Sequence, residues 1–477
     1  MAASTPPSSA RDAAIQALLA AADRGDAAAA ADLLDAHPDI VNERAILPGH
    51  TGKRTALHFA MNSMSEAVVD LLLGRGADPN VRDEGDNAMP LHFAAEKGHL
   101  GIVRRLIEHG ADPVGTGDMH ELEIIGWAAC FPRAPAYEVV EYLLGHGTRH
   151  NIFSAVATGA TGTIRELVAR SPADLDRPMD ATNHRRRPLH LAVTKRRPDS
   201  LETLLALGAD SEAEDAAGLT PLDQAALNGE REMAQRLIAH GARVRLPAAV
   251  ALELRDEVER FLRDEPDCLR PGGRWDKLIL RASESASAEI VEALLRGGAS
   301  VHTRDDHQTS VDGTHGYTSL HAAAFHGNAG AVRALLGHGA DPAAREDTYL
   351  ATPAGWADYA GFMEVRDLIL DGSIDIFDAI SFDRIDQLEA ILDRDPQALE
   401  RAFGDYVNGD PKARSMFDPT WTPLTFAAAN GKLVAARMLV ERGAYLSPTD
   451  SAGRTPIELA EAHDRQEVVE LLRSAGG

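Results

Sequence analysis

The residues with most chemistry in this chain are its 19 histidines and a few dense groups of charge. "HTRDDH" sets His302, Asp305, Asp306 and His307 within six residues, nitrogen and oxygen donors of the kind a divalent metal takes. "NHRRRPLH" and "TKRRPD" bring together Arg185, Arg186, Arg187, Lys195, Arg196 and Arg197. Six such cations can clamp a carboxylate or phosphate through forked, charge-assisted hydrogen bonds. Glu212, Glu214 and Asp215 follow closely enough to neutralise them instead, and both readings stay open. Catalytic signatures are missing: there is no Walker loop, GxSxG, HExxH or paired CxxC, and "HELEI" at His120 lacks a second histidine. Cys130 and Cys268 stand too far apart in sequence to suggest a zinc pair or a disulfide framework.

What must position these residues is written as a repeat. "GYTSLHAAAFHGNAGAVRALLGHGADP", Gly316 to Pro342, restates "NAMPLHFAAEKGHLGIVRRLIEHGADP", Asn87 to Pro113. The residue opening each "TPLH"-like tetrad recurs at 34 residues from Thr55 to Met89 and from Thr318 to Thr352. It recurs at 33 from Arg187 to Thr220 and from Thr422 to Thr455. Within a unit, Thr caps a short helix and Pro is tolerated at its first position, where a missing N–H costs nothing. Alanines follow because another helix must come close. A Gly-polar break, as at Gly98-His99 or Gly327-Asn328, starts a second helix with apolar residues three and four apart, and a closing Gly supplies its left-handed cap. Two short helices and a turn cannot bury their apolar faces alone, so neighbouring copies must cover them.

On these residues the chain resembles the ankyrin repeat, whose "TPLHxAAxxGH…LLxxGADxN" pattern is matched near Thr55, Met89, Arg187, Thr220, Thr318, Thr422 and Thr455. With weaker units, markers fall near residues 16, 55, 89, 123, 150, 187, 220, 244, 277, 318, 352, 374, 422 and 455, covering nearly the entire chain. The resemblance implies an all-α fold, an ankyrin-repeat α-solenoid of helix-turn-helix units with short hairpin loops. It implies that His58, His92, His190 and His321, fourth in their tetrads, are structural, bonded to the repeat's own backbone and Thr. It gives Asp a normal place at the hairpin base, which argues against a metal at "HTRDDH". It also places a binding groove along the first helices and hairpin tips. There Phe325, His326, Tyr349, Trp356, Tyr359, Phe382 and Trp421 make a candidate aromatic patch. Trp127 and Trp356, each preceded by a Gly where His normally sits, either compensate packing or carve a pocket. The long stretches "TRDDHQTSVDGTHGY" and "FGDYVNGDPKARSMFDPTW" would overhang this patch.

Four units depart in a common way, losing the tetrad and ending the second helix before Pro38, Pro172, Pro266 or Pro396. They read as drift in a repeat that still packs, with a hinge as the alternative. Domain expectations follow: a disordered tail over 1–12, then a continuous array over 13–477 with sub-blocks 13–150, 151–247, 248–373 and 374–477.

Composition narrows the function. Lys plus Arg number 48 against 73 Asp plus Glu, a net charge of −25, which opposes nucleic-acid and anionic-membrane binding. No run of about 18 apolar residues occurs and the N-terminus lacks a basic head before an apolar core, so a soluble cytoplasmic protein is expected. The alanine-rich style points to a GC-rich bacterial genome. The expected function is a protein-protein interaction scaffold, monomeric, with a protein partner, no cofactor, no metal and no catalytic residue. The alternative is an enzyme or small-molecule binder with a groove pocket near residues 312–382, using Asp312, His315, His326 and Tyr359.

Overall fold

The computed structural model describes residues 10–305, 316–406 and 418–476. These residues form 28 α-helices, short 3-10 turns and no strand, only the isolated bridges Ala45–Arg54 and Arg304–Thr318. They group into two compact units that divide between Val244 and Arg245, with 14 α-helices in each. Each unit is an all-α solenoid of helix pairs.

The pair Ala56–Ser63 and Glu66–Gly74 shows why the sequence folds this way. Thr55 sits extended before the first helix, at φ −84° and ψ 167°, and Ser65 caps the second by accepting from the Val68 N–H. Within the first unit, first helices pack on first helices, as Pro90–Glu96 does on Glu123–Cys130, and second helices on second helices. The second unit repeats this with Leu278–Ser285 on Ser319–Phe325 and Ala288–Arg296 on Ala329–Gly337. Alanines at the first-helix contacts, among them Ala60, Ala94, Ala128, Ala192, Ala323 and Ala427, are fully buried, and only so small a residue lets the axes approach. Leu72, Leu106, Leu143, Leu294, Leu335 and Leu439 fill the second-helix layer, each burial being favourable by about 1.5–3 kcal/mol.

The first helix runs from Ala10, so Ala10, Arg11 and Asp12 belong to it rather than to a tail. Arg11 reaches Asp39 and Glu43, which ties that end down. The rest of the expected tail, residues 1–9, lies outside the described residues.

The Pro-ended units are more regular than drift would leave them. Eight ordinary second helices, such as Leu100–Glu108 and Leu433–Glu441, are nine residues long. The four Pro-ended ones, Ala27–Ala36, Thr161–Arg170, Arg255–Asp264 and Ile385–Arg394, are all ten. Their caps His37, Ser171, Glu265 and Asp395 fall between φ −129° and −139° and between ψ 67° and 88°. A following proline excludes the helical region for the residue before it, so one extra helical residue and an extended exit replace the glycine cap in all four.

Glycine is required where a positive φ meets a close neighbour. Gly327 has φ +69°, and a Cβ there would stand 2.5 Å from the Phe362 ring. Gly339, at φ +87°, has nothing within 4 Å. Gly339→Ala is expected to cost about 1–2 kcal/mol from backbone strain, and Gly327→Ala a further 1 kcal/mol or more, roughly, from overpacking. Thermal unfolding of the two variants side by side reads the difference.

Candidate functional site

The tetrad histidines are structural on both ring nitrogens. His58 Nδ1 accepts from the Thr55 N–H at 3.3 Å and lies 2.8 Å from its hydroxyl, while Nε2 donates to the Ala88 carbonyl of the next unit at 3.1 Å. His92, His190 and His321 repeat the two backbone bonds, Nδ1 accepting from the N–H of Met89, Arg187 and Thr318 and Nε2 lying 3.1 Å from the carbonyls of Gly115, Leu219 and Ala351, while of the three only His321 also has a Thr hydroxyl on Nδ1. Burial pushes His58 and His92 down to about 4, and His321 to about 3, and lowers His190, so all four are held neutral. The sequence reading had the bonds within each unit; the bond across to the neighbour is what the structure adds. Where Gly126 replaces His, Asn151 of the following unit donates back to the Leu122 carbonyl at 2.6 Å.

The six-cation cluster is largely spent inside the protein. Lys195 Nζ donates to the Pro132 carbonyl at 2.5 Å, and burial holds its ammonium below the usual range. Arg197 donates to the Ala157 carbonyl at 2.8 Å and to the Tyr137 hydroxyl. Arg196 pairs with Glu230 at 2.6 Å, and Arg187 donates to the Asp176 carbonyl at 3.0 Å. Of the acids weighed as neutralisers, Glu212 pairs with Arg243. Arg185 and Arg186 remain, with no ion pair among the described residues; Arg185 is exposed, in a left-handed turn at φ +51°.

The aromatic group divides. Phe325 makes edge contacts with His326 at 5.3 Å and Trp356 at 5.1 Å, and these three form a partly exposed patch on the second unit. Tyr359, on the same helix as Trp356, is 83% exposed, and Tyr349 is 51% exposed. Phe382 lies under the Arg366 guanidinium at 5.8 Å, itself paired with Asp358 and Asp367. Trp421 does not belong to the patch: it is 7% exposed and packs on Phe426, within the cluster of Phe377 and Phe403. It sits just before the Thr422 cap, where the Phe403 N–H bonds its carbonyl and draws it inward. Of the overhanging loops, 306–315 and 407–417 lie outside the described residues, and with them Asp306, His307, Asp312 and His315.

Three further groups were not read from the sequence in this way. Trp127, 2% exposed, donates Nε1–H to Asp118 at 3.1 Å and packs edge-on against His92, Phe93 and Phe131, so it fills the core. His120 closes over it, 3.2 Å from Asp180 and 3.0 Å from the Thr182 hydroxyl. In the second unit, Arg345 pairs with Asp375 at 2.6 Å and lies 3.9 Å from Asp378, all three 5–7% exposed. Burial, with the Asp375 charge, raises Asp378 to about 7. Cys130 is buried, and burial pushes its thiol up to about 12, too high for a nucleophile at neutral pH. Among the described residues no group of three or more His, Cys, Asp or Glu is placed to hold a metal ion, and no helix is long and apolar enough to cross a membrane.

A family model described as ankyrin repeats (3 copies) matches residues 61–154, 152–248, 246–347 and 278–378. The chain is similar to Palmitoyltransferase AKR1 of Lachancea kluyveri, 28% identical over 188 residues, which is 39% of this chain and 22% of that protein. It is similar to Putative palmitoyltransferase ZDHHC13 of Danio rerio, 27% identical over 180 residues, 36% of this chain and 27% of that one. It is also similar to Potassium channel AKT1 of Arabidopsis thaliana, 31% identical over 241 residues, 48% of this chain and 27% of the channel. The matches span about a quarter of the length of these relatives.

Proposed function

Because this chain belongs to the ankyrin-repeat family, we propose that it is a non-catalytic scaffold of about fourteen repeats that holds a protein partner on its variable surface positions. In this reading it is a monomer in a bacterial cytoplasm, and its sub-blocks 13–150, 151–247, 248–373 and 374–477 open first at the Pro-ended units, where the cap differs from the rest. The observation that carries the reading is the patch of Phe325, His326, Trp356 and Tyr359 in the second unit, rings left partly or wholly at the surface beside a tetrad whose His321 is bonded on both ring nitrogens. Exposed aromatic anchors of this kind dominate binding energy at interfaces. Arg185 and Arg186 give a second, polar contact point in the first unit.

Affinity capture from a lysate, with the wild type beside Phe325→Ala/Tyr359→Ala and Arg185→Glu/Arg186→Glu variants, tests it. Loss of one and the same protein from the aromatic variant, by roughly tenfold or more, is the expected result. Retention of every captured protein by both variants, or co-purification of a metabolite alone, would overturn it. Arg187 is left untouched because its guanidinium holds the Asp176 carbonyl.

A further inference from the structure

We propose that the aromatic patch of the second unit takes a basic, arginine-bearing segment of its partner, the guanidiniums stacking on the exposed rings beside a rim of excess negative charge. The proposal rests on the patch being the surface that holds a protein partner, and it adds the chemistry by which that partner is recognised. Phe325 and Trp356 stand edge to face, their centroids 5.1 Å apart at 76°. Phe362 carries the strip on over Gly327, so close that a Cβ there would meet its ring at 2.5 Å. Tyr359, Phe362 and Met363 are exposed. Helices Ser319–Phe325 and Pro353–Tyr359, which supply Phe325, Trp356 and Tyr359, contain no Lys or Arg, so no cation of their own covers these rings. A cation is drawn to a ring face, and a planar, weakly hydrated guanidinium stacks there better than an ammonium.

Charge selects the occupant. Beside the rings, Arg366 pairs with Asp358 at 2.8 Å and with Asp367 at 3.0 Å, and Arg384 pairs with Asp367 at 3.2 Å and with Asp371 at 3.5 Å. Three carboxylates thus share two guanidiniums. Glu364, in the first turn of the helix that carries Arg366, is exposed and has no ion pair among the described residues. Four carboxylates against two guanidiniums leave this rim two negative charges in excess. None of the existing pairs has to open, because the attraction comes from the excess and Glu364 is free to pair. A second copy of this chain, at a net charge of −25, would bring like charge to like, so the strip fits a basic segment of another protein rather than itself.

The test is fluorescence anisotropy of a labelled peptide, Arg-Leu-Arg-Leu-Arg, titrated with the full chain. Forms with lysine, citrulline or glutamate in place of each arginine serve as comparisons, citrulline keeping the shape of the guanidinium without its charge. Saturable binding of the arginine form is expected, with a dissociation constant on the order of 100 µM at low salt. The lysine form should bind about threefold more weakly and the citrulline form at least about tenfold more weakly. The glutamate form should not bind. Tyr359→Ala should weaken the arginine form about fivefold and Glu364→Gln about threefold. Both side chains are exposed, so the fold survives their loss. Tyr445→Ala, on an exposed tyrosine elsewhere in the same unit, should change nothing. Equal affinity for the arginine and citrulline forms, binding of the glutamate form, or full affinity in a Tyr359→Ala/Glu364→Gln double variant would overturn the proposal. If lysate capture shows a protein lost from the aromatic variant while no peptide binds, the docking surface stands and the arginine chemistry falls.

Discussion

Lowering the pH from about 7 to about 4 is expected to cost the first unit several kcal/mol, on the order of 2–3 kcal/mol for each of its fully shifted tetrad histidines. His58 and His92 are held near 4 in the folded chain by burial, against an ordinary 6.5. Above 6.5 both states are neutral and the histidines contribute no pH dependence. Between 6.5 and 4 only the unfolded chain takes up protons, so stability falls as the pH falls through that window, and it levels off below it. The folded ring cannot take the proton, because Nδ1 already accepts from a backbone N–H and Nε2 already donates to a carbonyl. Urea unfolding at a series of pH values reads the effect. The difference between wild type and His58→Gln/His92→Gln isolates it from the surface carboxylates, and that difference should shrink on acidification. A difference that stays constant from 7 to 4 would contradict the assignment.

Replacing Arg345 by Met should destabilise the second unit by about 3–5 kcal/mol, because it strands two buried carboxylates. Arg345 and Asp375 are bonded at 2.6 Å with both side chains out of water, and the guanidinium also lies 4.8 Å over the Phe403 ring. Asp378 works the other way. Its folded value is raised to about 7 from an ordinary 3.8, so the stability it contributes is present at low pH and is lost as pH rises through 7. Asp378→Asn removes that loss and should leave the unit as stable or more so at pH 8, roughly within 1–3 kcal/mol above wild type. Chemical denaturation of both variants checks the pair of signs. Equal, small effects from both would contradict the reading of a charged pair crowded by a third group.

The repeat frame was legible because its determinants are local: a cap, a proline, an alanine face and a terminal glycine all act within a few residues of themselves. What the chain does between repeats was not, since those contacts join residues with no local mark. His58 bonds a carbonyl 30 residues on, His321 does the same at 30, and Arg345 meets Asp375 at 30. That recurring offset is the signal that would have found Arg345, since Asp375 opens its unit where Thr stands elsewhere. The six-cation cluster misled for the same reason: density of charge in the sequence says nothing of the carbonyls that Lys195 and Arg197 reach 63 and 40 residues away. Trp421 misled because its place just before a first helix does not say which way its ring turns, and the Phe403 N–H bonds its carbonyl inward. The Pro-ended units looked degenerate by letter, yet one steric rule gives all four the same exit.

The measurement that bears most directly on the account is native-state hydrogen exchange of the full chain with His321 replaced by alanine. If each repeat is held to its neighbour by that ring, lost protection will be confined to helices Ser319–Phe325, Ala329–Gly337, Pro353–Tyr359 and Met363–Leu370, with Pro423–Ala429 unchanged. Protection lost evenly across the second unit, or lost nowhere, would contradict it.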